Sequence, residues 1–371
     1  MSASLGHEFL FGNAGVSLKN RAVLAPLTHN MSAANGDPSQ AELQWLQLCI
    51  QGGFGMLITA ATQVLPGGRC WAGQPALMTE AQQQSWLPVV SSAEANQAKV
   101  LVQLHHGGLR ALPELNAEGP KGPSAIARGA RYPSGVAQLQ DEEIRQLIQA
   151  FINSAERAYA AGLHGVELHA AHHFLLCNFL NPEVNRREDI WGGSSRNRAR
   201  IIIEIIRGIR QRLPRSFLIG VRLSPESYAN VSGIRLANQL EVASLLAEEA
   251  LDYLHFSMGN SFKQANEDKQ AGPLLTQIRQ GYHGHVPLMF AGAITDIHTA
   301  ERAFNLGAEL VAIGSAAIGN PDWLKRSLSG APLKQAPFSR EHLLKLGFTE
   351  QALEYLMKIP NLLISSNKLT T

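Results

Sequence analysis

The chain has 371 residues, and its 32 lysines and arginines nearly balance 30 aspartates and glutamates, for a formal charge of +2. No basic block stands out, which argues against a nucleic-acid stripe or a membrane-surface patch and leaves a small molecule as the expected partner. Three scattered cysteines, Cys49, Cys70 and Cys177, show no C-x-x-C spacing; this speaks against a disulfide framework, a zinc knot or an iron–sulfur cluster and suits a reducing compartment.

The opening stretch, MSASLGHEFLFGNAGVSLKN, lacks the basic start, apolar core and small-residue cleavage site of a secretory signal. No later stretch approaches the roughly 18 consecutive apolar residues of a membrane helix, so a soluble, cytoplasmic chain is expected. Short runs rich in valine, isoleucine and leucine then recur as AVLAP (22–26), MLIT (56–59), VLVQL (100–104), GVELH (165–169), LIGVRL (218–223), YLHFS (253–257), VPLMFAG (286–292) and LVAIG (310–314). Segments of helical period lie between them. SSRNRARIIIEIIRGIRQRL (194–213) predicts a helix with a serine cap, and NPDWLKRSL (320–328) one capped by Asn320 with Pro321 in its first turn.

Eight alternations of strand and helix require parallel strands covered by helices, and eight units close most naturally into an α/β fold of the (β/α)₈ barrel type, expected over residues 1–330. A doubly wound nucleotide-binding sheet fits poorly. No G-x-G-x-x-G follows the first strand, and the nearest candidate, GFG at 53–55, has Ile58 where the third glycine belongs. After residue 330, GAPLKQAPFSREH leads into an amphipathic tail, 331–371, expected to be helical and to pack on the barrel or on a neighbouring subunit of a homo-oligomer.

Side chains at the carboxyl ends of barrel strands share one mouth. That rule collects Thr28, Ala61, Gln103 and His106, His169 and His172, Arg222, Gly292, and Gly314 with Ser315. Small residues ending the last two strands let backbone N–H groups approach an anion such as a phosphate, although the same glycines also suit tight turns. Arg222 and Gln103 stand inside apolar strands, where a guanidinium needs either a carboxylate or an electron-rich heterocycle as partner. His169 and His172, in HAAH, have no obvious third ligand for a metal. As paired N–H donors they could grip one carbonyl or nitro oxygen and stabilise charge developing there. His173 is expected to point elsewhere.

With these residues assembled, the chain resembles the Old Yellow Enzyme family of FMN-dependent ene-reductases from about residue 20 to about residue 325. The likeness rests on NRAVLAPLT (20–28), VQLHHGG (102–108), GPSAI (122–126), HAAH (169–172), NPEVNRREDIWGGSSRNRAR (181–200), VRLSP (221–225), FAGAI (290–294) and AIGSAAIGNPDW (312–323). The resemblance implies FMN as cofactor and NADH or NADPH as reductant. It sets Ala25, Pro26 and Thr28 along the flavin with Thr28 near N5, Ala61 and Gln103 beside the pyrimidine, Arg222 facing N1 and O2, and Gly292, Gly314 and Ser315 at the phosphate. His169 and His172 fall where the family binds the substrate's activating oxygen, with Phe174 beside them.

Three departures from the family pattern stand out. Ser315 occupies the place of a usual arginine, so FMN is expected to be held less tightly; Leu109 replaces another arginine; and Phe174 replaces the tyrosine that commonly donates a proton. Tyr228 is the candidate substitute donor. The implied reaction passes hydride from the nicotinamide through the flavin to α,β-unsaturated carbonyls, quinones or nitro compounds. Family forms with a cysteine-held cluster and further domains are not expected from this chain. A flavoprotein with a binding or sensing role remains the alternative, whereas a flavin-free aldolase-type barrel would want a lysine at a strand end, and none of the eight ends carries one.

Overall fold

The computed structural model describes residues 4–227, 232–267 and 269–364. All eight apolar runs form strands: β1 Ala22–Leu24, β2 Met56–Ile58, β3 Lys99–His105, β4 Gly165–Ala170, β5 Leu218–Leu223, β6 Tyr253–Ser257, β7 Leu288–Ala291 and β8 Leu310–Ile313. Each pairs in parallel with its sequence neighbour, and β8 pairs with β1, so the sheet closes into a barrel. The helices Gln40–Gln51 (α1), Leu87–Ala95 (α2), Asp141–Ala160 (α3), Ser195–Arg212 (α4), Leu236–Ala247 (α5), Leu274–Gly281 (α6), Ile297–Asn305 (α7) and Trp323–Ser329 (α8) follow the strands in turn.

Strand periodicity divides the core into two layers. Val166, Leu168, Val221, Phe256 and Phe290 point outward and join the helices in one large cluster. Val23, Met56, Ile58, Leu101, Met289 and Leu310 point inward and form a second cluster, which includes Phe9, Phe11 and Leu18 of an antiparallel hairpin (Phe9–Phe11 paired with Val16–Leu18). Higher in the barrel the inward positions turn polar: Gln103, Glu167, Arg222 and His255 are all buried. This change from apolar to polar separates the packed floor from the mouth.

Helix α4 begins as predicted, with the Ser194 hydroxyl accepting from the Asn197 N–H at 3.2 Å. Helix α8 does not. It starts at Trp323, and the Asn320 side chain instead donates to the carbonyls of Ala316 and Lys334 and accepts the Lys334 N–H. The asparagine therefore ties the tail to the barrel rather than capping a helix. The tail forms the helices Arg340–Lys345 and Glu350–Leu356; their Leu343, Ala352, Leu353 and Leu356 are buried in the outer cluster with Phe348 of the connection between them, which stands edge-on to Trp45 at 5.6 Å. Among the described residues no helix is long and apolar enough to cross a membrane.

Candidate active site

A cavity of about 920 Å³ opens at the carboxyl end of the strands. It is lined by Pro26, Thr28, Ala61, Gln103, His169, His172, Phe174 and Arg222, all of them residues selected from the sequence. Ala25 lies in the inward cluster of the barrel. Gly292, Gly314 and Ser315 end β7 and β8 on the same rim but are not part of this cavity's lining. Gly292 adopts φ 137°, which suits glycine, and a Cβ there would come within 2.3 Å of the Met258 carbonyl oxygen, so the backbone is bare at this point.

The polar upper layer is tied together. Gln103 Nε2 donates to Glu167 Oε1 at 2.7 Å, while Glu167 Oε2 meets His255 Nδ1 at 2.8 Å and the Tyr253 hydroxyl at 3.2 Å. Burial works against charge on Glu167, but His255, Arg222 and Gln103 outweigh it and hold the carboxyl below its usual range. Arg222 thus has a carboxylate near enough to act on electrostatically, yet its hydrogen bonds run to the Pro26 carbonyl at 3.4 Å and the Ser257 hydroxyl at 2.9 Å.

His169 sits on β4, whereas His172 lies in the turn beyond it. An offset of three along a strand would send two side chains to opposite faces; the left-handed backbone at His172 (φ 58°) and His173 (φ 62°) turns the chain back instead. The Ser224 hydroxyl accepts the His172 N–H at 2.9 Å and steadies the turn. As a result His169 Nε2 and His172 Nδ1 face each other at 2.9 Å. Burial pushes both imidazoles well below their ordinary pKa, so they are neutral at pH 7. No group of three or more His, Cys, Asp or Glu side chains suited to a metal occurs among the described residues.

Some placements differ from the sequence reading. His106 is not at the mouth: its Nδ1 accepts the Gly108 N–H at 3.1 Å and its ring packs beneath Gly68. His105 is the inward residue, because β3 alternates and Gln103 already marks the inner face. That parity could have identified it. His173 turns away from the histidine pair, as expected, but its Nε2 meets the Tyr132 hydroxyl at 3.1 Å on the outer cavity wall. Leu109 is buried, and the next residue, Arg110, brings a guanidinium to the mouth, 4.4 Å over the Phe174 ring and donating to the His172 carbonyl at 3.0 Å. Tyr228 lies outside the described residues. The tail supplies another hydroxyl, since Tyr355 lines the cavity together with Thr28. No local signal in the sequence pointed to Tyr355.

A closed parallel barrel with a neutral histidine pair, a buried arginine and a buried glutamine around one mouth has the form of a barrel enzyme's active site. Residues 9–334 match the NADH:flavin oxidoreductase / NADH oxidase family, and the chain belongs to it, as an Old Yellow Enzyme-type NAD(P)H:flavin oxidoreductase. It is similar to a probable NADH-dependent flavin oxidoreductase, YqiG of Bacillus subtilis (strain 168), with 31% identity over 325 residues, 85% of this chain and 86% of that protein. Among solved structures, the Old Yellow Enzyme homologue from Zymomonas mobilis superposes with a TM-score of 0.77 at 25% identity, covering 93% of this chain and 96% of the other. Morphinone reductase in complex with tetrahydroNAD does so with a TM-score of 0.77 at 27% identity, covering 94% and 97%.

Proposed function

We propose that this protein holds FMN across Ala25, Pro26, Thr28, Ala61, Gln103 and Arg222, with the phosphate at Gly292, Gly314 and Ser315, and uses NADH or NADPH to reduce small electron-poor acceptors. The acceptors are α,β-unsaturated carbonyls, quinones and nitro compounds. The donor set supports FMN: Arg222 and Gln103 present N–H groups from the buried upper layer beside an apolar wall, and bare backbone ends β7 and β8. FMN bound there supplies two-electron hydride chemistry.

The observation that carries this reading is the 2.9 Å approach of His169 Nε2 to His172 Nδ1 at the cavity wall. An oxygen docking on this pair replaces the bond between the two rings and takes over an N–H from the histidine that donates it. As the acceptor takes up an electron pair, negative charge falls on that oxygen, and the N–H stabilises it. Arg222 holds a fixed positive charge beside the pair, sharing Ser257 with His172, and its bonds to Ser257 and Pro26 keep it there. Thr28 and Tyr355 place hydroxyl groups along the cavity wall.

Replacing both His169 and His172 by alanine should leave the protein yellow while weakening phenol complexes and slowing acceptor reduction by about tenfold or more per lost donor. Phenol titrations and anaerobic reoxidation kinetics measure both. A double variant that still gives a full charge-transfer band with phenols would show that the oxygen binds elsewhere.

A further inference from the structure

Three imidazoles stand in series at the mouth. His105 Nδ1 is 3.0 Å from His169 Nδ1, His169 Nε2 is 2.9 Å from His172 Nδ1, and His172 Nε2 is 2.8 Å from the Ser257 hydroxyl, which also accepts from Arg222 at 2.9 Å. His105 is fully buried behind the cavity wall, edge-on to Phe174 at 4.3 Å between ring centres. Its place is therefore fixed by packing as well as by hydrogen bonds.

A neutral imidazole has one N–H and one lone pair, so where two ring nitrogens meet, one donates and the other accepts. With His169 Nε2 and His172 Nδ1 in contact at 2.9 Å, only one of these two nitrogens carries a proton. If it is His169 Nε2, that N–H is the donor an acceptor's oxygen can take over from His172. The outer nitrogen of His169 must then accept. The outer nitrogen of His169 is the one facing His105.

We propose that His105 is a positioning residue, which donates its Nδ1–H to His169 Nδ1 and thereby keeps the proton of His169 on Nε2, the nitrogen turned to the acceptor. The proposal rests on the reading that the pair grips the acceptor's oxygen. His172 then carries its proton on Nε2 and donates it to the Ser257 oxygen, which also accepts from Arg222. The reverse polarity would turn a lone pair of His169 towards the acceptor's oxygen and repel it. The Cys70 thiol, which burial pushes up to about 12 and so keeps protonated, lies 3.7 Å from His105 Nε2. Its S–H also has the Gly68 carbonyl at 3.8 Å as acceptor, so it does not by itself fix the polarity of His105. No covalent step is involved; His105 sets which nitrogen of its neighbour holds the proton.

Two substitutions separate this role from simple packing. His105→Phe keeps a ring but has no N–H, while His105→Asn places an amide N–H where Nδ1–H stands. In the FMN-loaded protein, ¹⁵N shifts of the His169 ring should report the Nε2–H form in the native protein and in His105→Asn, and a shift towards Nδ1–H in His105→Phe. Phenol affinity should fall about tenfold in His105→Phe, the loss of roughly one net hydrogen bond, and recover to within about threefold in His105→Asn. An Nε2–H form and native phenol affinity in His105→Phe would overturn the proposal. If that variant does not fold, the native spectrum decides: His169 protonated on Nδ1 in the phenol complex overturns the proposal, and Nε2–H supports it. Failure of the underlying reading shows separately, as undiminished phenol binding in the His169→Ala, His172→Ala double variant.

Discussion

Phe174 lies against His105 and His169, with ring centres 4.3 and 4.9 Å away, and carries the Arg110 guanidinium over its face. Reduction of an activated C=C needs hydride at one carbon and a proton at the other, whereas a quinone or nitro group collects its protons on oxygen. A phenylalanine here should therefore penalise only the first class. Phe174→Tyr is expected to speed anaerobic reoxidation by simple enones by roughly ten- to a hundredfold and to leave quinone reduction nearly unchanged. Equal responses from both acceptor classes would show that position 174 does not govern the proton. Tyr355 is relevant to the size of the effect: burial raises its pKa, and its protonated hydroxyl lines the same cavity.

At the scale of elements, β5 shows how one absent side chain shapes the site. Gly220 faces inward between Leu218 and Arg222, and a Cβ there would lie 2.0 Å from Cζ of Tyr253. The space allows the tyrosine to cross to Glu167, which in turn orients Gln103. Gly220→Ala should overpack the barrel and cost about 1–3 kcal/mol, read as a lower denaturation midpoint. An unchanged midpoint would mean that the ring has room to retreat. The turn after β4 is the converse case, where two residues in left-handed backbone accept local strain so that His172 can face His169.

The molecule as a whole buries many neutral imidazoles, and this gives it an acid limit. Burial holds His106, His164 and His173 at about 4, against an ordinary 6.5. Folded pKa values below the unfolded one mean that the unfolded chain binds more protons in this window. The corresponding stability is complete above pH 6.5 and is lost as the pH falls towards 4. Each imidazole contributes a slope of up to about 1.4 kcal/mol per pH unit. Thermal midpoints should fall across this window, and His106→Asn, which keeps an acceptor for the Gly108 N–H but cannot titrate, should make the fall shallower. A slope indifferent to that substitution would remove His106 from the account.

What the sequence determined by itself was whatever depends on near neighbours in the chain. Eight runs of branched apolar residues became eight strands because side-chain period and β-propensity act within a few residues, and Ser194 capped α4 because its hydroxyl reaches an N–H three positions on. Polar residues within those runs, Gln103, His169 and Arg222, marked the mouth for the same reason: an inward strand position needs a partner wherever it falls. The tertiary structure alone decided who the partners are. His105 and His169 stand 64 positions apart, Tyr355 reaches Thr28 from beyond the barrel, and Asn320 gave up its cap to hold the tail. Such contacts are set by the closure of the barrel, which brings strand ends together irrespective of their separation in the chain, and no local period records that distance.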